Sequence, residues 1–144
     1  MLKFDFLVIG SGIAGLSYAL KVSALGSVAV ITKKRKSDSN TNYAQGGIAA
    51  VMSPTDSFEK HIADTLATGC GLSHPDVVKR IVSDGPACIA ELITLGVEFS
   101  VDKRRAASWG LELSREGGHS ERRVVHVADM TGREIEKALL RRVH

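Results

Sequence analysis

The chain has 144 residues, enough for one domain with a real core, and 44% of them are hydrophobic. Its net charge is only +3, and its basic residues are scattered apart from Lys33–Lys36 and Lys103–Arg105. That excludes the basic stripe with stacking aromatics of a nucleic-acid binder. Aromatic residues make up 5%, which suits a sheet of aliphatic strands covered by helices.

The first predicted element is an apolar strand ending at Ile9. Gly10, Gly12 and Gly15 follow it in G-x-G-x-x-G spacing. In such a turn the first glycine bends the chain out of the strand, and the second admits a pyrophosphate close to the backbone. The third lets the next helix pack on the sheet. The amides around Ser11, Ile13 and Ala14 then face the phosphates from the positive end of the helix dipole. A glycine triplet alone is weak evidence, but here a helical stretch, Leu16 to Leu25, comes next. Gly26 is expected at its C-terminus and a second apolar strand at Val28–Ile31. Together these make a β-α-β unit and a dinucleotide site. Met1-Leu2-Lys3 before an apolar run resembles a signal peptide, but Asp5 interrupts it. The uncharged run from Phe6 to Leu20 is too short and glycine-rich for a membrane span.

After the second strand, the acidic residue that often binds a ribose is replaced by Thr32-Lys33-Lys34. Lys33 admits two readings: contact with a 2′-phosphate of a nicotinamide cofactor, or with the ribose or phosphate of a flavin dinucleotide. A polar loop follows, then Gly46-Gly47 ahead of a small apolar run. This is either a resting surface for a flat ring system or a plain turn into the next element. Asp56-Ser57-Phe58-Glu59 predicts a capping box and a helix with Ile62 and Leu66 on one face, ending near Gly69. His61 on that helix reads as a surface residue. Pro75 opens a second helix with Val77, Val78, Ile81 and Val82 as its apolar side. Gly85-Pro86 is expected to interrupt it before a third helix from Ala87 to Leu95. Short strands are expected at Val97–Phe99, Trp109–Leu113 and Arg123–Ala128. Thr131-Gly132-Arg133-Glu134 reads as a capping box for the last helix. Cys70 and Cys88 form no metal-ligand pattern and read as buried thiols of a reducing compartment. His119 and His126 titrate in a useful range but read as structural.

Two longer motifs carry a resemblance. The segment Asn40-Thr41-Asn42-Tyr43-Ala44-Gln45-Gly46-Gly47 resembles the flavin-contacting segment of the L-aspartate oxidases. These belong to the flavoprotein superfamily that includes succinate dehydrogenase and fumarate reductase. Arg115-Glu116-Gly117-Gly118-His119-Ser120 and the stretch His126 to Arg133 resemble the same family at matching spacing. The resemblance implies an α/β fold, the amino-terminal part of a doubly wound, three-layer, Rossmann-like FAD-binding domain with inserted helices. It implies non-covalent FAD, held by Gly10 to Gly15, Lys33 and Asn40 to Gly47. It implies oxidation of L-aspartate to iminoaspartate with oxygen or fumarate as acceptor, in the cytoplasm. That reaction is the first step of de novo NAD biosynthesis, with quinolinate synthase taking the product. Glu116, in the matching motif, is implied in substrate orientation, and a carboxylate there suits the ammonium group of an amino acid. A dicarboxylate dehydrogenase of the same superfamily, a nicotinamide-dependent reductase and a non-catalytic nucleotide-binding module are the rival readings. The arginines and histidine that bind and convert substrate in the family lie beyond the matched positions. The chain is therefore expected to be the amino-terminal portion of the enzyme and inactive alone.

Overall fold

The structure, a computed structural model, describes residues 1–102, 110–128 and 130–143. It opens with the expected β-α-β unit: β1 (Phe6–Ile9), α1 (Ile13–Val22) and β2 (Val28–Ile31). The strands run parallel, with Phe6 opposite Val28 and Ile9 opposite Ile31. Such a pair requires a crossover, and α1 supplies it. Below the unit the Ser27 amide and hydroxyl both donate to one Asp5 carboxylate oxygen, at 2.8 and 2.7 Å. Those bonds hold the Asp5 carboxyl below the usual carboxylate range. Gly26 is not the helix cap. The cap is Ser23, and a Cβ on Gly26 would stand 2.7 Å from the Asp5 carboxylate.

A second, three-stranded sheet has β5 (Val124–Val125) at its centre. β3 (Ile48–Ala49) and β4 (Leu113–Ser114) are each antiparallel to it, on either side. The strand expected at Val97–Phe99 is irregular backbone, although Val97 and Phe99 are buried and Val101 bridges to Leu111. The strand expected from Arg123 is shorter than its β-branched content suggests. The start of the one expected at Trp109 lies outside the described residues, as does the Lys103–Arg105 run.

Three further helices follow among the described residues: α2 (Phe58–Thr68), α3 (Pro75–Thr94) and α4 (Thr131–Arg142). The α2 cap is Ser57, whose hydroxyl accepts from the Lys60 amide at 3.2 Å; Asp56 is committed elsewhere. Nor does Thr131 cap α4. It is the first helical residue, and its buried hydroxyl accepts from the Val127 amide at 2.9 Å. Gly85-Pro86 does not break α3, which runs straight through both. Proline costs a helix one hydrogen bond, but Gly85 here passes close to Ala50, 3.4 Å from where its Cβ would be. The helix thus continues across the defect with Gly85 packed against Ala50, the residue after β3. Of its predicted apolar side, Val78 and Val82 are buried with Ile89 and Leu92, while Val77 and Ile81 are exposed. Gly96, just past the helix, takes φ +100°, as a C-terminal glycine should.

The core lies between α1, α3, α4 and the three-stranded sheet, with Leu16, Ile89, Val125 and Leu139 at most 1% exposed. Cys70 and Cys88 are both exposed thiols, not buried ones.

Candidate functional site

The glycine turn forms where β1 ends. Gly10 takes φ +110°, a region strained for any residue with a Cβ, and its amide donates to the Ile31 carbonyl at 2.8 Å. A Cβ on Gly15 would overlap the Gly10 carbonyl oxygen, so α1 starts this close to the turn only with glycine there. Gly12 is the N-cap of α1 and has no side chain to offer the free amides. The acceptor comes instead from 28 residues away: the Ile13 amide donates to Thr41 Oγ1 at 3.0 Å. A Cβ on Gly12 would stand 3.2 Å from that same oxygen. The next two amides, of Ala14 and Gly15, have no protein acceptor among the described residues. They sit in the first turn, where the helix dipole favours an anion.

Ser11 is buried, and its hydroxyl donates to Thr32 Oγ1 at 3.4 Å, joining the turn to the end of β2. Lys33, the next residue, is exposed. Lys34 pairs with one oxygen of Asp38 at 3.4 Å, and the Tyr43 hydroxyl donates to the other at 3.2 Å. These contacts stitch the basic loop to the segment beginning at Asn40.

That segment is a series of tight turns, in which Asn42, Tyr43 and Ala44 amides each donate three residues back. Its other side rests on α4. The Gly132 amide donates to the Ala44 carbonyl at 3.0 Å, and a Cβ on Gly132 would overlap the Thr41 carbonyl oxygen. Ser39 donates to the buried Glu136 carboxylate at 2.5 Å. Tyr43, Ala44, Gln45, Gly46 and Gly47 are all exposed, with open space where a Gly46 Cβ would be. Gly47 lies flush on β5; its Cβ would overlap the Val125 carbonyl oxygen. A cleft of about 650 Å³ opens between this loop and α4, and its lining includes Asn42 and Tyr43 but no residue of the glycine turn.

The structure thus joins Gly10–Gly15 to Asn40–Gly47, but it sets Glu116 apart from both. β3 and β4 both run against β5, so they run parallel to each other. Gly47 precedes the first residue of β3, and Glu116 follows the last of β4. They leave the sheet at opposite ends. Glu116 is exposed on a turn that the His119 amide closes by donating to the Glu116 carbonyl at 3.2 Å.

Beneath that turn lies a group the sequence did not signal. Arg123 is fully buried and donates through Nε and Nη2 to both oxygens of Asp56 at 2.8 Å, and through Nη1 to Asp64 at 2.5 Å. Burial is the largest influence on Asp56 and opposes its ionisation, but the Arg123 hydrogen bonds, the Ser57 amide and the Arg123 charge together outweigh it and lower its pKa. Asp64 is lowered further, first by the Ser120 amide and then by Arg123. His61 is buried, not on the surface, and its ring stands edge-on to that of His119, with centroids 6.1 Å apart. Burial, then the Arg123 charge, pushes the His61 imidazolium toward its neutral form. The Nδ1 atoms of both histidines are buried without a hydrogen-bond partner among the described residues. The i, i+3 spacing of His61 and Asp64 on one helix face was the only available signal.

Free first-turn amides, open space at Gly10 and Gly46, and an exposed strip of small residues fit a dinucleotide with a flat ring system. Among the described residues no group of three or more His, Cys, Asp or Glu side chains is arranged to hold a metal ion. No described helix is long and apolar enough to cross a membrane.

The chain is 54% identical over 140 residues to the chloroplastic L-aspartate oxidase of Oryza sativa subsp. japonica, covering 97% of this chain and 21% of that one. It is 43% identical over 139 residues to the L-aspartate oxidase of Acinetobacter baylyi, covering 96% and 25%. The chain therefore spans between a fifth and a quarter of the length of the curated relatives it matches. Among solved structures, the Sdh1 complex of Mycobacterium smegmatis in the apo form includes a chain matching at TM-score 0.87 and 32% identity. The match covers 96% of this chain and 23% of that one. The cofactor of this fold is FAD. Residues 5–144 match the family model described as FAD binding domain, and the chain belongs to that family.

Proposed function

We propose that this chain is the amino-terminal, flavin-holding part of an enzyme that oxidises L-aspartate to iminoaspartate, with oxygen or fumarate as acceptor. The observation that carries the reading is the 43–55% identity to L-aspartate oxidases over nearly the whole chain. FAD, when bound, supplies the two-electron acceptor. The residues of this chain bind and orient. Gly10, Ser11, Gly12, Ile13, Ala14 and Gly15 form the pyrophosphate turn, with the Ala14 and Gly15 amides as donors. With FAD as cofactor, Lys33 serves the ribose or phosphate of its adenosine half rather than a 2′-phosphate. Asn40, Thr41, Asn42, Tyr43, Ala44, Gln45, Gly46 and Gly47 line the flavin, and the β-α-β unit belongs to a doubly wound, three-layer sheet. The site is cytoplasmic in type, and its product passes to quinolinate synthase.

Glu116 reads the substrate ammonium. Its carboxylate has no protein partner among the described residues, so it is unspent. Glu116→Gln in the intact enzyme removes the charge while keeping the shape. A charge-assisted hydrogen bond is worth roughly 1.5–3 kcal/mol, so kcat/KM for L-aspartate falls by about tenfold to a hundredfold. Fumarate lacks the ammonium, and its reduction changes much less. Equal losses on both substrates, or none, remove Glu116 from the site. A second reading, a dicarboxylate dehydrogenase, is favoured by the likeness to the Sdh1 chain. Turnover of succinate in preference to L-aspartate would establish it.

A further inference from the structure

A carboxylate that selects a substrate needs a fixed base and a free head. Glu116 has the free head, and the base is fixed from α2. One face of α2 carries His61, Asp64 and Thr68, spaced i, i+3 and i+7. Each touches the turn that presents Glu116. Asp64 Oδ2 accepts from both the Ser120 amide at 2.7 Å and the Ser120 hydroxyl at 2.8 Å. The His119 ring stands on that of His61. Gly118 takes φ +82° and passes so close to α2 that a Cβ on it would lie 2.7 Å from Thr68 Oγ1. The turn is therefore held at three consecutive residues, 118 to 120, two positions after Glu116.

The same Asp64 oxygen also takes the Nη1 donor of Arg123. Neutralising that buried arginine would need only the one contact. The two bonds to Ser120 serve the turn. They make the placement of Glu116 depend on the charge cluster between α2 and β5.

We infer that Asp64 is a positioning residue for substrate discrimination: through Ser120 it fixes the turn from which Glu116 meets the ammonium of an amino-acid substrate. This rests on the reading of Glu116 given above. Asp64 touches no substrate and acts only through the turn.

The test uses the intact FAD-loaded enzyme with Ser120→Ala, which removes the hydroxyl's bond to Asp64 and its 3.4 Å contact with Arg123 Nη2 and leaves the Asp64–Arg123 pair in place. Asp64→Asn is the stronger variant, and Ser120→Ala keeps the test valid if it does not fold. In Ser120→Ala, KM for L-aspartate rises by about threefold to tenfold, as loss of one hydrogen bond implies. The kcat for L-aspartate and both constants for fumarate stay within about twofold, since the chemistry is untouched. Amide hydrogen exchange across residues 115–120 quickens by about tenfold, and Ser120→Thr restores both KM and exchange. Unchanged exchange and KM, with Glu116→Gln still showing its selective loss, would overturn the role of Asp64 and leave the function standing. Equal losses on both substrates would reduce Asp64 to a structural residue and also overturn it. If Glu116→Gln itself shows no selective loss, the functional reading fails and this inference fails with it.

Discussion

Arg123 has no exposed surface, and three of its nitrogens are spent on Asp56 and Asp64. Removing one partner of such a group leaves an uncompensated buried charge, which costs about 3–5 kcal/mol. Arg123→Ala should therefore destabilise the protein by about that much, read from denaturant unfolding. The same cluster sets the acid limit. Both carboxyls are lowered in the folded state, so their stabilisation is complete above the unfolded-state value, near about 3.9. It is lost as pH falls through their lower folded values. Wild-type stability should drop steeply below about pH 4, and Arg123→Ala should have a shallower slope there, keeping the part that the Ser120 and Ser57 amides supply. Locally, only the i, i+3 spacing of His61 and Asp64 pointed to this cluster. Arg122 and Arg123 are adjacent and chemically alike, and only the fold decides which one is buried, just ahead of β5. Asp56 was read as a helix cap because capping is the local use of an aspartate, and the demand of a buried arginine 67 residues away outranked it.

At the level of elements, the β-α-β unit was legible because everything that makes it is local: two apolar runs, three glycines and a helix. The joining of the glycine turn to Asn40–Gly47 was legible only through family resemblance, since the Ile13–Thr41 bond spans a loop with no periodicity. α3 was misread as two helices because Gly85-Pro86 is a strong local break, and its packing against Ala50 cannot be seen in a sequence. α4 was placed correctly, but its role was not evident. Its first turn supports the Asn40–Gly47 segment from behind, and Gly132 is where the two touch. In Gly132→Ala, helix propensity gains about 1 kcal/mol, but the new Cβ meets backbone that cannot move aside. Overpacking of this kind costs about 1–3 kcal/mol. The variant should melt earlier and bind FAD more weakly in titration, because the segment proposed to line the flavin is displaced. Unchanged FAD affinity would show that α4 does not support the site.

Across the whole molecule, the proposed site would hold its flavin by shape and hydrogen bonds. In many dicarboxylate dehydrogenases of the superfamily a histidine that bonds covalently to the flavin stands where Asn40 is. An amide offers no comparable nucleophile. Acid precipitation of the holoprotein should leave all the flavin in the supernatant, and flavin remaining with the pellet would refute the assignment. The parallel pair β1–β2 is covered on one face by α1, which buries Val8, Leu16 and Ala19. Leu7 and Ile9 point the other way, 61% and 80% exposed. The order of the chain also sets the order of events. Ile13 and Thr41 can meet as soon as the first motif has left the ribosome, but the Gly132 amide that supports the Ala44 carbonyl lies 88 residues further on. At about 5–20 residues per second, the wait is on the order of 5–20 s. For that interval the nascent Asn40–Gly47 segment is tied at the turn and unsupported behind, and on the proposed reading its flavin-lining shape is complete only once α4 has formed.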